Sequence, residues 1–154
     1  MALYFLDTSA LAKRYVPETG SRWVQNLCAT ELISVSALVI VEINTTLARR
    51  VREGRLTVND RDGIVRRFRR HLRQYSVIDT NVRILNSAGT LGVQSPNTVP
   101  LRALDAIQLA SALSFAATST ASGLGPLTFV SSDKRLLAAA EWAGFATDNP
   151  ENHP

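Results

Sequence analysis

Four acidic residues of this 154-residue chain fall in otherwise apolar segments: Asp7, Glu42, Asp105 and Asp133. Asp7 follows the apolar run "LYFL", and a carboxylate at the end of a buried strand must be solvated, paired or bound to a cation. Asp133 follows "LTFVSS", which also has the composition of a strand. Glu42 and Asp105 lie in apolar helical patterns, and Glu42 has no cationic neighbour three or four residues away.

Each acid also has a local explanation. Asp133 can cap the helix that follows it, and Asp105 can favour its helix dipole and pair with Arg102. Asp7 is harder to explain in this way, because Ser9 is better placed to cap the first helix. Four separate partners are less economical than one shared partner, and crowded carboxylates need positive charge to stay ionised. A divalent cation is the shared partner that this pattern favours.

The ligand types indicate which cation that would be. No cysteine or histidine accompanies these acids in sequence, and oxygen-only ligands select a hard ion such as Mg²⁺ or Mn²⁺. Such an ion activates a water for in-line attack on a phosphodiester and stabilises charge on the leaving oxygen. The acidic residues therefore favour metal-dependent nuclease chemistry.

Strands alternate with helices along the chain. We predict strands at Ala2–Leu6 and in "ELISVS", "SVIDT" and "PLTFVSS". We predict helices at 9–16, 57–75 and 81–91, and in "ALVIVEINTTLARRVRE", "LRALDAIQLASALSFAA" and "DKRLLAAAEWAG". This alternation predicts an α/β fold with a parallel sheet and helices on both faces, with ligands beyond the carboxyl ends of the strands.

Length and composition predict one domain. A chain of 154 residues with 45% hydrophobic residues can bury a stable core, and we place the domain at 1–146. Residues 147–154, "TDNPENHP", are expected to fray. The single cysteine, Cys28, excludes an intramolecular disulfide and favours a reducing compartment. No apolar run approaches the ~20 residues needed to cross a bilayer, so we expect a cytoplasmic protein without membrane contact.

The net charge of +4 is a weak indication of a polyanionic partner. On a helical wheel, the apolar residues of the helix at 57–75 share one face. The opposite face is entirely arginine: Arg66, Arg69, Arg70 and Arg73. This face is either solvated, as most charge runs are, or contacts RNA phosphates or an acidic partner segment.

The order and spacing of five motifs resemble PIN-domain ribonucleases, specifically the VapC-type toxins of toxin–antitoxin pairs. The motifs are "FLDTSALAKRY" with Asp7, "PETGS", "VSALVIVEI" with Glu42, "LRALDAIQLASAL" with Asp105, and "FVSSDKRLLAAAEWAGF" with Asp133. The resemblance covers essentially the whole chain. It implies a three-layer α/β/α fold around a central, mainly parallel sheet.

The resemblance also implies an activity and partners: an endoribonuclease that uses Mg²⁺ or Mn²⁺, a homodimer, and a small VapB-type antitoxin. The catalytic and metal-binding residues would be Asp7, Glu42, Asp105 and Asp133, with the Ser9 hydroxyl supporting them. Many relatives have histidine where this chain has Gln108. Carboxylates and a metal-activated water need no imidazole, so we expect activity to survive that difference.

Other functions fit the sequence less well. A phosphotransfer hydrolase with an Asp-x-Asp motif would need an acid where Ser9 stands, and a receiver domain would need an acidic pair near the first strand. Asp79 is expected to cap the helix that follows it, and His71 and His153 are expected to be surface residues without partners. The serious alternative is a catalytically inactive PIN-like module that binds RNA or a partner. RNA cleavage with Mn²⁺ and with EDTA separates the two.

Overall fold

The computed structural model describes all 154 residues and contains five strands, seven α-helices and one short 3₁₀-helix. The strands are β1 (Leu3–Leu6), β2 (Leu32–Ser36), β3 (Ser76–Ile78), β4 (Leu127–Val130) and β5 (Ala146–Asp148). The helices are α1 (Thr8–Ala12), α2 (Ser21–Thr30), α3 (Leu38–Arg52), α4 (Val58–Leu72), α5 (Val82–Gln94), α6 (Ala103–Ala121) and α7 (Lys134–Trp142), followed by the 3₁₀-helix Pro150–Asn152. No helix is both long and apolar enough to cross a membrane.

The strands form one sheet in the order β3-β2-β1-β4-β5, and every neighbouring pair is parallel. The chain builds outwards from β1 to β2 and β3 on one side, and then crosses to β4 and β5 on the other. The strand order therefore reverses next to β1. In parallel sheets, the crevice at such a point, beyond the carboxyl ends of the strands, is where ligands bind.

Helices cover both faces of the sheet, which confirms the predicted three-layer α/β/α fold. On one face, Leu6 and Val35 pack with side chains of α1 to α4, among them Ile43 and Phe68. On the other face, β1 and β4 pack against α6 and α7, and the rings of Phe5 and Phe129 stack at 5.3 Å. Alternate residues of β1 thus face opposite layers, as the pleat of a strand requires.

Several local predictions need correction. The helix α2 is absent from the predicted set; it begins after Gly20 with no side-chain cap, and its buried residues are Val24 and Leu27. Asp79 does not cap α5, because the Asn81 side chain accepts the N–H of Ile84 instead. The predicted start of α4 is confirmed: Thr57 and Asp60 form a reciprocal capping box.

Residues 147–154, predicted to fray, are ordered and include part of β5 and the 3₁₀-helix that follows it. Val130 of β4 pairs with Asp148 of β5, and Pro150 is buried. Gly20 has a φ of 86°, and a side chain there would overlap the Pro150 carbonyl. His153 stacks on Trp23 with ring centroids 4.2 Å apart, so it has the partners that the sequence did not indicate. The C-terminal residues therefore pack on the start of α2.

Candidate active site

The four acids singled out in the sequence line one cavity of about 370 Å³ at the carboxyl ends of the strands. Asp7 directly follows β1, and Asp133 immediately precedes α7, just beyond β4. Glu42 lies in the second turn of α3 and Asp105 in the first turn of α6. Four elements far apart in sequence thus bring four carboxyl groups to the crevice where the strand order reverses.

Asp7 is the most buried of the four, with 5% of its surface exposed. Its Oδ1 accepts the Ala10 N–H at 2.9 Å, so Asp7, and not Ser9, caps α1. Burial raises the pKa of Asp7 from 3.8 to about 6, although hydrogen bonds from Ala10, Ser9 and Ser131 oppose the rise. No cation pairs with this carboxylate, so hydrogen bonds alone offset part of the penalty that burial places on its charge.

The Ser9 hydroxyl connects Asp7 to the end of β4. It donates to the Asp7 carboxylate, with Oγ 2.8 Å from Oδ1 and 3.0 Å from Oδ2. The same oxygen accepts the Ser132 N–H at 2.9 Å and lies 3.2 Å from the Ser131 Oγ. Ser9 therefore links the Asp7 carboxylate to the residues that follow β4 and fixes its position.

Glu42 is held by two neutral side chains. Its Oε1 accepts the Thr8 hydroxyl at 2.8 Å and the Gln108 Nε2 at 2.9 Å, and Gln108 Nε2 also lies 3.1 Å from Thr8 Oγ1. Gln108 is 3% exposed, and its own Oε1 is buried without a hydrogen-bond partner. Thr8 was not singled out in the sequence; its one signal is that it directly follows Asp7. The two donors fix one oxygen of Glu42 and leave Oε2 free.

The carboxylates of Asp133 and Asp105 repel each other electrostatically. Asp133 accepts the Arg135 N–H at 2.8 Å, so it caps α7 in addition to lining the cavity. Asp105 accepts no hydrogen bond. Partial burial and the charges of Asp133 and Glu42 raise its pKa, while Arg102 and Arg135 act in the opposite direction. Arg102 thus influences Asp105 electrostatically but forms no ion pair with it.

The cations that line the same cavity are paired with other acids. Lys13 is buried and lies 3.3 Å from Glu18 and 3.4 Å from Glu151. Arg50 also pairs with Glu18, while Arg49 pairs outside the cavity. The four acids Asp7, Glu42, Asp105 and Asp133 form no ion pair at all. No ion pair within the protein therefore neutralises their charge.

The donor chemistry of these four acids fits a hard divalent ion. Glu42 Oε2, Asp133 Oδ2 and both oxygens of Asp105 accept no hydrogen bond, so each is free to act as a ligand. As the side chains stand, however, no three acidic, histidine or cysteine side chains converge closely enough to hold an ion. Binding would require side-chain rotation towards a common point.

The predicted arginine face lies outside this cavity. Arg66, Arg69 and Arg70 are exposed on α4, opposite the buried Ile64 and Phe68, and the exposed Arg73 caps the C-terminus of that helix. Arg66 and Arg70 line a different cavity, together with Arg14 and Arg67, which the sequence did not single out.

Comparison with solved structures shows the same architecture. VapC20 from Mycobacterium tuberculosis, described as a toxin that cleaves the sarcin-ricin loop, superposes with a TM-score of 0.64 at 18% identity over 98% of this chain and 99% of that chain. VapBC2 from Rickettsia felis gives 0.61 at 13% identity over 96% and 98%. FitAcB from Neisseria gonorrhoeae gives 0.60 at 18% identity over 96% and 98%.

These identities establish the fold alone, and no curated protein sequence matches the chain. The family is shown by the sequence itself, because residues 4–141 match the PIN domain, and PIN domains are generally nucleases. The matched range includes all four acids of the cavity, the strands β2 to β4 and all of β1 but its first residue. The chain therefore belongs to the PIN domain family.

Proposed function

We propose that this protein is a metal-dependent endoribonuclease of the VapC type, the toxin of a toxin–antitoxin pair. One observation carries the proposal: the four acids lining the cavity at the strand ends are unpaired, whereas Glu18 and Glu151, in the same cavity, are paired with its cations. Acids that only stabilise a fold are usually paired when buried. An acidic set kept free of protein cations supports a role in binding one from solution.

The residues that would hold Mg²⁺ or Mn²⁺ are Asp7, Glu42, Asp105 and Asp133. When bound, such an ion supplies the charge that polarises a water and stabilises the phosphodiester oxygens. The protein contributes placement: Ser9 and Ala10 orient Asp7, while Thr8 and Gln108 orient Glu42. Asp105 accepts no hydrogen bond and Asp133 accepts only through Oδ1, so their free oxygens would be available as ligands.

RNA as substrate, a VapB-type antitoxin and a homodimer belong to the same proposal. The motif resemblance implies all three. The descriptions of similar structures support the antitoxin and the RNA, because they include a toxin–antitoxin complex and a toxin that cleaves the sarcin-ricin loop. The single Cys28 and the absence of a membrane-spanning helix agree with a cytoplasmic location.

The test is RNA cleavage by the purified chain with Mn²⁺ and with EDTA. We expect cleavage only with the metal, and products with 5′-phosphate and 3′-hydroxyl ends, because the attacking group would be a water and not the RNA 2′-hydroxyl. Asp105→Asn should abolish cleavage, whereas Asp79→Asn, an exposed acid outside the cavity, should not. Cyclic phosphate ends, or equal activity in EDTA, would contradict the mechanism. Folded protein that binds RNA without cutting it would identify the inactive PIN-like module.

A further inference from the structure

We propose that a second, basic cavity binds the phosphodiester backbone of the RNA on one side of the cleaved bond. This inference rests on the proposed ribonuclease function. The cavity measures about 670 Å³ and lies between α4 and the segment that follows α1. Four arginines line it: Arg14, Arg66, Arg67 and Arg70.

None of these four arginines forms an ion pair, although Arg49, Arg50, Arg55 and Arg61 all do. The one acid that lines the cavity, Asp60, is engaged in the capping box of α4, where its carboxylate accepts the N–H and the hydroxyl of Thr57. Four guanidinium groups around one concavity raise the local positive potential, which attracts an anion.

Tyr75 and His71, which lie next to the cavity, both interact with this positive charge. The Arg14 guanidinium donates to the Tyr75 hydroxyl and lies 5.7 Å from the centre of that ring, so the structure holds it in place. Burial and the charges of Arg14, Arg70 and Arg67 lower the pKa of His71. Positive charge from two separate elements therefore converges on this region.

The basic cavity adjoins the acidic one. Ala12, Lys13 and Glu18 line the acidic cavity, whereas Arg14 to Pro17 line the basic cavity. The two cavities thus share one short segment, residues 12–18, in which successive Cα atoms are about 3.8 Å apart. An RNA strand whose phosphodiester lies among the four acids would reach the arginines within a few nucleotides.

The ligand is the RNA backbone because guanidinium groups dominate the cavity, with Gln25 and Asn59 as its only exposed amide side chains. Tyr15, its only aromatic residue, is buried, so no exposed ring is available to stack on bases. Contacts to phosphates alone are independent of sequence and depend strongly on salt. This site would hold the substrate without selecting it.

Two pairs of arginines on α4 and at its C-terminal cap differ in position but not in charge. Arg67 and Arg70 line the cavity; Arg69 and Arg73 do not, and all four are exposed. The double variants Arg67→Gln/Arg70→Gln and Arg69→Gln/Arg73→Gln therefore remove the same charge from the same region. Each is built in the full chain carrying Asp105→Asn, so that binding is measured without cleavage.

The experiment measures the dissociation constant for a short single-stranded RNA of mixed sequence at a series of salt concentrations. Loss of two phosphate contacts should reduce the slope of log K against log salt by about 1.4 and weaken binding roughly tenfold or more near 0.1 M salt. The control pair should leave the slope unchanged. Equal slopes for the two double variants would overturn the proposal. So would an Arg67→Gln/Arg70→Gln variant that keeps RNA binding but loses binding to polyglutamate, because the cavity would then bind an acidic polypeptide and not RNA.

Cleavage by the same double variants in the background with Asp105 intact separates this inference from the function on which it rests. We expect the cavity pair to raise KM with little change in kcat, because the arginines bind RNA away from the reacting atoms. If the wild-type chain cleaves RNA and the Arg67→Gln/Arg70→Gln variant has an unaltered KM, the proposed role of the basic cavity is refuted and the nuclease proposal stands. A wild-type chain that binds RNA with the expected slope but never cleaves it refutes the nuclease proposal.

Discussion

Neutralising Asp7 should stabilise the metal-free protein. The rise in its pKa from 3.8 to about 6 means that folding disfavours the charged carboxylate by roughly 3 kcal/mol at neutral pH. Asparagine keeps the capping bond to the Ala10 N–H, because Asn and Asp are comparable N-caps. It offers Ser9 one oxygen where the carboxylate offers two, a loss of roughly 1 kcal/mol. The expected net gain for Asp7→Asn is therefore about 2 kcal/mol.

The pH dependence follows from the direction of the shift. The folded protein binds the Asp7 proton more tightly than the unfolded chain does, so stability falls as pH rises between 3.8 and about 6. Below 3.8 both states are protonated and the penalty disappears; above about 6 it is complete. The advantage of Asp7→Asn should open across this interval and stay constant at higher pH.

Thermal denaturation in EDTA measures the effect directly. For a domain of about this size, 2 kcal/mol raises Tm by roughly 4–8 °C. Added Mn²⁺ should stabilise the wild type by RT ln(1 + [L]/Kd), about 2.7 kcal/mol at one hundred times Kd, and the variant by much less, because Asp7 would be a ligand. The exposed Asp79→Asn serves as the control and should change neither quantity.

The reasoning fails if Asp7→Asn lowers Tm by several degrees in EDTA while the Mn²⁺ effect stays undiminished. That result would identify Asp7 as a structural acid, because removing a favourable buried charge destabilises the folded state. A gain in stability that does not change with pH would refute the titration argument specifically.

Three further predictions follow from the packing. Gln108→Leu should weaken Mn²⁺-dependent cleavage by roughly ten- to hundredfold, whereas Gln108→His, which can still donate to Glu42, should stay within a few-fold of wild type in a metal titration of the rate. Gly20→Ala should lower Tm well beyond Gly54→Ala; both positions have a positive φ, costing about 1–2 kcal/mol for alanine, but only Gly20 meets the Pro150 carbonyl. Deleting 149–154 should lower Tm by several degrees, because it uncovers Trp23 and Gly20 and removes Glu151 from Lys13; an unchanged Tm would restore the frayed tail.

The fold was predictable where burial and capping act locally. The apolar helix α6, the capping box at Thr57 and the strand β4 all follow from side-chain type and spacing. The helix α2 lacks such a signal, because it begins after Gly20 without a side-chain cap. The three-residue strand β5 exists because it pairs with β4, and pairing is a tertiary effect that "ATD" alone does not encode.

The grouping of the four acids and the support of Asp7 by Ser9 were predictable, but the side chains that hold Glu42 were not. Carboxylates at strand ends and in apolar helices are conspicuous because such positions rarely carry charge. The Thr8–Glu42–Gln108 contacts join three elements separated by 34 and 66 residues, so no local pattern reveals them. The prediction that Ser9 caps α1 was wrong. Because β1 leads into α1 with no intervening loop, Asp7 itself is the N-cap.

The paired acids explain why the unpaired ones stay free of protein cations. Lys13 is buried in the wall of the same cavity and carries a flexible cationic side chain, so it is the natural competitor for the acids that would bind a metal. Glu18 and Glu151 hold it from two directions, and Glu18 also holds Arg50. Neutral donors, in contrast, surround Asp7 and Glu42. This division lets the protein fix the carboxylates in place without supplying the positive charge that an incoming divalent ion must provide.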